Sequence, residues 1–135
     1  MATPFAWPVR VYWEDTDAGG VVYHANYVRF MERSRSEWLR HHGVDQAALR
    51  VQEGLQFTVV DMQIRWVRPA HYDDLLQVTT LLGPVTGARF RFRQQVWRET
   101  ALLVEATVGV AAIDTESLKP RRLPASLRAL SALTG

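Results

Sequence analysis

The pattern of hydrophobic and polar positions predicts one long helix near the start of the chain. Apolar or small residues recur at helical spacing within positions 24–42, while arginines and glutamates occupy the other faces. The recurring residues are Tyr27, Met31, Ser34 and Trp38. Gly43 follows, and glycine readily takes the left-handed conformation of a helix C-cap. We therefore expect a single amphipathic helix from about His24 to His42, with Ser34 as a small residue that permits close packing.

Period-two alternation predicts that most of the remaining chain is β-strand. The expected strands cover 9–14, 57–60, 62–68, 75–82, 89–97 and 102–114, and short helices are expected over 45–52 and 125–133. Short connections between the last strands are typical of an antiparallel meander, and the long helix must bury its apolar stripe against such a sheet. The predicted class is α+β, with five or six antiparallel strands in one domain over 1–135.

Composition excludes several classes of function. The chain has 135 residues and no cysteine, so disulfides, thiolate nucleophiles and cysteine-based zinc sites are excluded. A formal net charge of +2 is too small to indicate nucleic-acid binding. No apolar run approaches the roughly 20 residues that span a bilayer, and the first ten residues lack the apolar core of a signal peptide. We expect a cytoplasmic protein without stable membrane insertion.

The stretch before the helix carries the candidate chemistry. Asp17 lies in a Gly-rich turn between a strand-like segment and the helix. The first N–H groups of a helix lack intrahelical partners and carry partial positive charge, so they can polarise a carbonyl while a carboxylate attacks it or activates water. This arrangement suits acyl transfer or hydrolysis. The alternative is that Asp17 only caps the helix or holds the Gly19-Gly20 turn.

The residues around Asp17 resemble a known family. The block Val11-Tyr12-Trp13-Glu14-Asp15-Thr16-Asp17, then Gly20-Val21-Val22-Tyr23-His24-Ala25-Asn26-Tyr27 and Glu32-Arg33-Ser34-Arg35, is similar to the bacterial Tol-Pal-associated (YbgC-like) branch of the 4-hydroxybenzoyl-CoA thioesterase family. The similarity continues through Arg68-Pro69-Ala70, Tyr72-Asp73-Asp74 and Lys119-Pro120-Arg121. It implies the hotdog fold, in which a long central helix packs on an antiparallel sheet.

The resemblance also implies an activity and a site. It implies hydrolysis of an acyl-CoA thioester, with a short- to medium-chain acyl group, by Asp17 acting as nucleophile or as general base. The thioester oxygen would meet a backbone N–H near His24, and Asp15 would be structural. The role of the His24 side chain stays open, and Tyr23 and Asn26 become candidate substrate contacts. The family's edge-to-edge dimers imply a homo-oligomer, as a dimer or a tetramer.

Arginines are the candidate ligands for the phosphates of coenzyme A. Arg89, Arg91 and Arg93 alternate along one strand, where a solvated face is the favoured interpretation and phosphate binding the alternative. Arg121, in a basic segment near the C-terminus, has a similar claim. We take Arg89, Arg91 and Arg121 as the substrate-binding candidates.

We predict no metal and no dissociable cofactor, since coenzyme A belongs to the substrate. His41 and His42 point about 100° apart on a helix, and His71 has no ligand-like spacing to another histidine. A Gly-x-Ser-x-Gly motif is absent. The alternatives are a 4-hydroxybenzoyl-CoA-type aromatic thioesterase, a hotdog hydratase and a non-catalytic acyl-binding scaffold. Acyl carrier protein is a possible alternative carrier of the acyl group.

Overall fold

The computed structural model describes residues 5–130, which build an antiparallel sheet crossed by one long helix. The strands are β1 (Phe5–Arg10), β2 (Leu55–Trp66), β3 (Leu75–Thr86), β4 (Arg89–Arg98) and β5 (Ala101–Asp114). The helices are α1 (Asn26–His41), α2 (Gln46–Glu53) and α3 (Ala125–Arg128), with a 3-10 turn at Trp13–Asp15. The strand order is β1-β3-β4-β5-β2, all neighbours antiparallel. The predicted α+β class and the β3-β4-β5 meander are confirmed.

The structure corrects the predicted strands in two places. The first strand covers Phe5–Arg10 rather than 9–14, and it ends before Glu14 because the Asp15 side chain accepts a hydrogen bond from Tyr12 N at 2.8 Å and the chain turns there. The segments predicted at 57–60 and 62–68 form one strand, β2, in which a register shift between Val59 and Asp61 absorbs the interruption.

Other element boundaries also differ from the prediction. β3 runs on to Thr86 through Gly83-Pro84, again with a register shift, between Leu82 and Val85. The long helix is Asn26–His41 rather than 24–42, and Gly43, just after the C-cap His42, has the expected left-handed conformation with a φ of 79°. Of the predicted C-terminal helix, α3 is observed, and positions 131–133 lie outside the described residues.

The core has two hydrophobic clusters, one under each half of α1. In the first, Tyr27, Phe30 and Met31 pack with residues of β1, β3 and β5 such as Val9, Val78 and Val104. In the second, Trp38 and Leu39 pack with Phe92 and Val108 from the sheet and with Leu127 from α3. Burial of these side chains, at roughly 1.5–3 kcal/mol each, is the main force that holds α1 on the sheet.

A buried polar layer lies between the two clusters along α1. Ser34 Oγ donates to Val78 O at 2.9 Å and lies 2.7 Å from Thr80 Oγ1. Gln94 Nε2 donates to Thr80 Oγ1 and to Met31 O, both at 2.9 Å, and Gln94 Oε1 accepts from Arg35 Nη1 at 3.0 Å. Ser34 therefore bonds to the sheet as well as permitting the close approach expected of it.

This layer restricts how α1 can sit on the sheet. Burial lowers the pKa of Arg35, and the nearby Glu32 only partly offsets that effect. A shift of the helix along the sheet would leave buried polar atoms of Ser34, Arg35 and Gln94 without partners, which costs more than the hydrogen bonds themselves contribute. The layer thus favours one register of α1 and, with it, one position for the start of the helix.

Replacing Gln94 by Met should destabilise the protein by roughly 2–3 kcal/mol, because Arg35 Nη1 and Met31 O lose their buried partner while volume is conserved. Urea unfolding followed by circular dichroism measures this change. Gln95→Met, one residue along β4 and on the opposite face of the sheet, is the matched control. It loses only one half-buried hydrogen bond, from Trp97 Nε1 at 3.2 Å, and should cost less than about 1 kcal/mol. Equal losses in the two variants would contradict the role of the polar layer.

Candidate functional site

Asp15 ties the segment before α1 to the helix. Its carboxylate is buried and accepts hydrogen bonds from Tyr12 N at 2.8 Å and from Asn26 Nδ2 at 2.7 Å. Its backbone oxygen accepts from Tyr23 N at 2.9 Å. One residue therefore fixes the 3-10 turn, the segment before the helix and the first residue of α1. This is the structural role expected for Asp15.

Asp17 is exposed and holds a tight turn. Its Oδ1 accepts from Gly19 N at 2.8 Å, while its backbone N donates to Val21 O at 2.9 Å and its backbone O accepts from Gly20 N at 3.1 Å. Gly20 has a φ of 85°, a backbone conformation that glycine adopts readily and other residues rarely adopt. Asp17 thus holds the Gly19-Gly20 turn without capping α1, and it keeps an exposed carboxylate beside the helix.

An open cleft of about 400 Å³ lies between this turn and the start of α1. The residues that line it are Glu14, Thr16, Asp17, Tyr23, Ala25, Asn26 and Arg29. Asn26 is buried and presents its amide beside the cleft while bonded to Asp15, whereas Tyr23 is exposed. The structure therefore brings together Asp17, Tyr23 and Asn26 from the predicted set.

The backbone at the start of α1 is oriented by two hydrogen bonds. Tyr23 O accepts from Asn26 N at 2.8 Å, and His24 O accepts from Trp66 Nε1 at 3.0 Å. In a trans peptide the N–H points away from the preceding carbonyl, so these bonds fix the directions of the His24 and Ala25 N–H groups. Within residues 5–130 neither group has an acceptor. Both are available, at the positive end of the helix dipole.

The His24 ring lies apart from the cleft lining. Its centroid is 4.6 Å from that of Tyr23 and 5.9 Å from that of Trp66, the latter in an edge-on contact. The ring therefore packs between a cleft residue and the end of β2. A backbone role for His24 fits this position better than a side-chain role.

Arg29 is a cleft residue that the sequence interpretation missed, because it was assigned to the polar face of α1. The signal was present in the sequence: Arg29 follows Asn26 by three residues and so shares its side of the helix. It supplies a positive charge in a cleft that otherwise carries the carboxylates of Glu14 and Asp17.

The other predicted arginines lie elsewhere. Arg89 and Arg91 are on the face of the sheet that points away from α1, beside a depression of about 230 Å³, and Arg91 is paired with Asp61 at 3.1 Å. Arg121 Nη1 donates to Glu53 O at 2.6 Å and to Gly54 O at 3.1 Å, which joins the C-terminal segment to α2. Their binding of phosphate stays a prediction.

A second turn, at 70–74, supports the first. Val22 N donates to Ala70 O at 2.9 Å, and Asp74 Oδ2 accepts from His71 N at 2.8 Å and from Arg98 Nη1 at 2.9 Å. Burial raises the pKa of Asp74, but these two hydrogen bonds and the Arg98 charge outweigh burial and bring the pKa below its ordinary 3.8. The carboxylate of Asp74 is thus part of the support of the cleft.

Residues 5–130 contain no group of three or more histidine, aspartate or glutamate residues placed to hold a metal ion. No helix in that part of the chain is both long and apolar enough to cross a membrane.

Comparison with known proteins agrees with this geometry. The model of the thioesterase-like superfamily matches residues 11–130. The chain belongs to this thioesterase-like superfamily. Among its relatives, the acyl-CoA thioester hydrolase YbgC of Escherichia coli O6:H1 is 48% identical over 126 residues, 93% of each chain. The acyl-CoA thioesterase YbgC of Haemophilus influenzae is 46% identical over 125 residues, 93% of this chain and 92% of the relative.

A solved structure supports the same assignment. The probable thioesterase from Bartonella henselae superposes with a TM-score of 0.86 at 44% identity, over 90% of this chain and 100% of that one. The predicted YbgC-like branch of the thioesterase-like superfamily and the predicted hotdog fold are thereby confirmed.

Asp74→Asn tests the support of the cleft through its pH dependence. A carboxyl whose folded-state pKa is depressed contributes stability that is present above its ordinary pKa and is lost as the pH falls through the folded-state value. At pH 7 the variant should be less stable than the wild type by roughly 1 kcal/mol. Below pH 3.8 that difference should shrink as the wild-type carboxyl is protonated.

Thermal unfolding at a series of pH values measures this difference. Asp73→Asn is the control, since asparagine tolerates the left-handed φ of 71° at that position. A difference between wild type and Asp74→Asn that is constant down to pH 3 would contradict the assignment.

Proposed function

We propose that this protein hydrolyses an acyl-CoA thioester to a free acid and coenzyme A. The observation that carries the proposal is one cleft in which the exposed Asp17 carboxylate lies beside the start of α1, where the His24 and Ala25 N–H groups have no acceptor among residues 5–130. A thioester carbonyl needs such a pair of functions, a carboxylate and oriented donors. The 48% identical relative named acyl-CoA thioester hydrolase supports the choice of substrate class.

Two routes use the same groups. In the first, an Asp17 oxygen attacks the thioester carbon and the C–S bond breaks, which gives a mixed anhydride and the thiolate of coenzyme A. One water then cleaves the anhydride: its OH goes to the acyl group as the free acid, its other proton goes to the thiolate, and the Asp17 carboxylate is restored. In the second, Asp17 takes a proton from water as the water attacks, and that proton ends on the leaving sulfur. Each route consumes one water, and in each the developing oxyanion is stabilised by backbone N–H groups near His24. Neither requires a metal or a dissociable cofactor, and we propose none.

The proposal also covers the acyl group of the substrate and its carrier. A short- to medium-chain acyl group is our expectation, and an aromatic acyl group is the alternative, favoured by the exposed Tyr23 ring on the cleft wall. Acyl carrier protein stays a possible carrier. A cytoplasmic location is compatible with a chain that contains no cysteine.

We also propose that two copies pair through the edge strand β2. β2 has 12 residues and pairs only with β5 among residues 5–130, and it exposes Val59, Val60 and Trp66. An edge of this length and character invites pairing with another strand. The opposite edge, β1, has six residues and includes Pro8, which has no N–H to donate. Trp66 also bonds His24, so a dimer through β2 would lie against the cleft.

Asp17→Asn should abolish thiol release, because an amide can neither attack the thioester nor accept a proton from water. Removing a catalytic base or nucleophile of this kind costs at least about 10²- to 10⁴-fold in rate. Thiol release from a panel of aliphatic and aromatic acyl-CoAs, followed with a colorimetric thiol reagent, measures the effect and ranks the substrates.

The matched control for this experiment is Asp45→Asn, the same change at the N-cap of α2. Asn caps as well as Asp does, so this variant should keep full activity. Near-native turnover by Asp17→Asn would remove Asp17 from the mechanism. If the wild type hydrates an unsaturated acyl-CoA without releasing thiol, the protein is a hydratase. Binding of acyl-CoA with no reaction at all would favour a scaffold.

Sedimentation equilibrium tests the pairing through β2. We expect a dimer, or a dimer of dimers, at micromolar protein, and Val59→Lys should shift the distribution towards monomer because charge on an edge opposes pairing. Leu118→Lys, another exposed apolar residue but outside the strands, is the control and should leave the distribution unchanged. A wild-type monomer would refute the proposed dimer.

A further inference from the structure

Three large aromatic side chains are exposed beside the cleft. Tyr12 is 60% exposed, Trp13 is 69% exposed and Tyr72 is 41% exposed. Single exposed apolar residues are common, whereas a contiguous exposed apolar patch is typical of a binding surface. None of these rings belongs to either hydrophobic cluster of the core. These rings do not contribute to the core, so a role in binding accounts better for their exposure.

Two of the rings form a parallel stack. The centroids of Trp13 and Tyr72 are 3.6 Å apart and their planes differ by 7°. Tyr72 can cover only one face of the indole, and with 69% of Trp13 exposed the other face is open. An open indole face that is already aligned with a second ring is suited to a third flat group.

The stack is held in place by the backbone on both sides. Val11 N donates to Asp74 O and Asp73 N donates to Val11 O, each at 2.9 Å. Asp73 is held at a φ of 71°, a conformation that costs a non-glycine residue energy and that the surrounding hydrogen bonds maintain. Because the backbone segments that carry Trp13 and Tyr72 are fixed, binding of a ligand would cost little free energy for ordering this surface.

The aromatic surface is continuous with the Asp17 cleft. Trp13 and Tyr72 line a depression of about 420 Å³ together with Arg10, and Glu14 lines both this depression and the cleft. Arg10 Nη1 donates to Asp73 O at 2.8 Å, which positions its positive charge beside the rings. A molecule with its reactive group at Asp17 could thus extend past Glu14 to the rings.

The chemistry of the proposed substrate matches this path, and the inference rests on the proposed function. Coenzyme A carries its thioester at one end of a flexible arm and an adenine nucleotide at the other. Adenine is a flat base that stacks on aromatic side chains, and the phosphates of the nucleotide are bound well by a cation such as the Arg10 guanidinium. We propose that the Trp13–Tyr72 stack is the platform on which the adenine ring of the substrate rests, with Trp13 as the contacting residue.

The test compares two thioesters of the same acyl group, one on coenzyme A and one on pantetheine, which lacks the nucleotide. Trp13→Ala should raise the KM for acyl-CoA roughly tenfold, the size expected from loss of one stacked base, with kcat nearly unchanged. For acyl-pantetheine both parameters should stay within about twofold of wild type. Trp13→Phe keeps a ring face and should recover most of the lost affinity for acyl-CoA.

A second measurement uses the wild type alone and does not depend on whether a variant folds. Adenosine 3′,5′-bisphosphate, the nucleotide end of coenzyme A, should inhibit hydrolysis competitively against acyl-CoA and should bind by calorimetry. Weaker binding to Trp13→Ala than to Trp13→Phe would support stacking. Absence of binding to the wild type would overturn the proposal.

The outcomes separate this proposal from the proposed function. If the wild type releases thiol from neither thioester, the proposed function fails, and the platform is judged by bisphosphate binding alone. If the wild type cleaves both thioesters but Trp13→Ala affects them equally, or affects neither, the platform is wrong. A change of oligomeric state in Trp13→Ala by sedimentation would assign the rings to a subunit contact and would also overturn it.

Discussion

The buried hydrogen bonds of Asp15 are the interaction on which the arrangement of the site depends. The carboxylate joins Tyr12 N, at the start of the 3-10 turn, to the side chain of Asn26, at the start of α1. A buried carboxylate is tolerated only where hydrogen bonds satisfy it, and here those bonds come from the two segments that the site must hold together. This link also places Asp17, two residues later in the chain, beside the helix.

The two aspartates of this short motif therefore have different roles, because their environments differ. Asp15 is enclosed and fully engaged, so it fixes geometry, whereas Asp17 is exposed and uses one carboxylate oxygen on its own turn. The buried layer of Ser34, Arg35 and Gln94 contributes further along the helix, because it sets where α1 lies on the sheet. The position of the helix start relative to Asp17 follows from both.

Periodicity predicted the elements of this fold because most side chains follow their strand or helix pattern. α1 and the β3-β4-β5 meander are visible in the sequence for that reason. Arg35 was not predicted to be buried, since its partner Gln94 is 59 residues away in the chain. The bond from Trp66 to His24 spans 42 residues and has no local signal either. Such contacts depend on how elements pack, which a pattern along one element does not contain.

The candidate site residues also fall into two groups, those that a local motif predicts and those whose position depends on packing. Asp17, Tyr23 and Asn26 were predicted from one continuous motif, and the structure brings them to one cleft. Arg89, Arg91 and Arg121 were chosen for charge alone, and they lie on other surfaces, where Asp61 or backbone carbonyls contact two of them. Charge identifies what a residue could bind, but only the sheet register and the helix position determine which cleft it faces.

The start of α1 lacks the features that usually stabilise a helix N-terminus. Its N-cap is Ala25, which makes no side-chain cap, and its first turn contains no acidic residue, although Ser, Thr, Asn or Asp would contribute about 1 kcal/mol there. The nearest preceding carboxylate, that of Asp17, bonds Gly19 N and does not cap the helix. Ala25 lines the cleft, so a larger capping side chain at that position would take up space beside the His24 and Ala25 N–H groups proposed to meet the thioester oxygen. The uncapped helix start and the exposed aspartate are therefore two parts of one proposed site, and the hydrogen bonds of Asp15 hold that helix start in place without a cap.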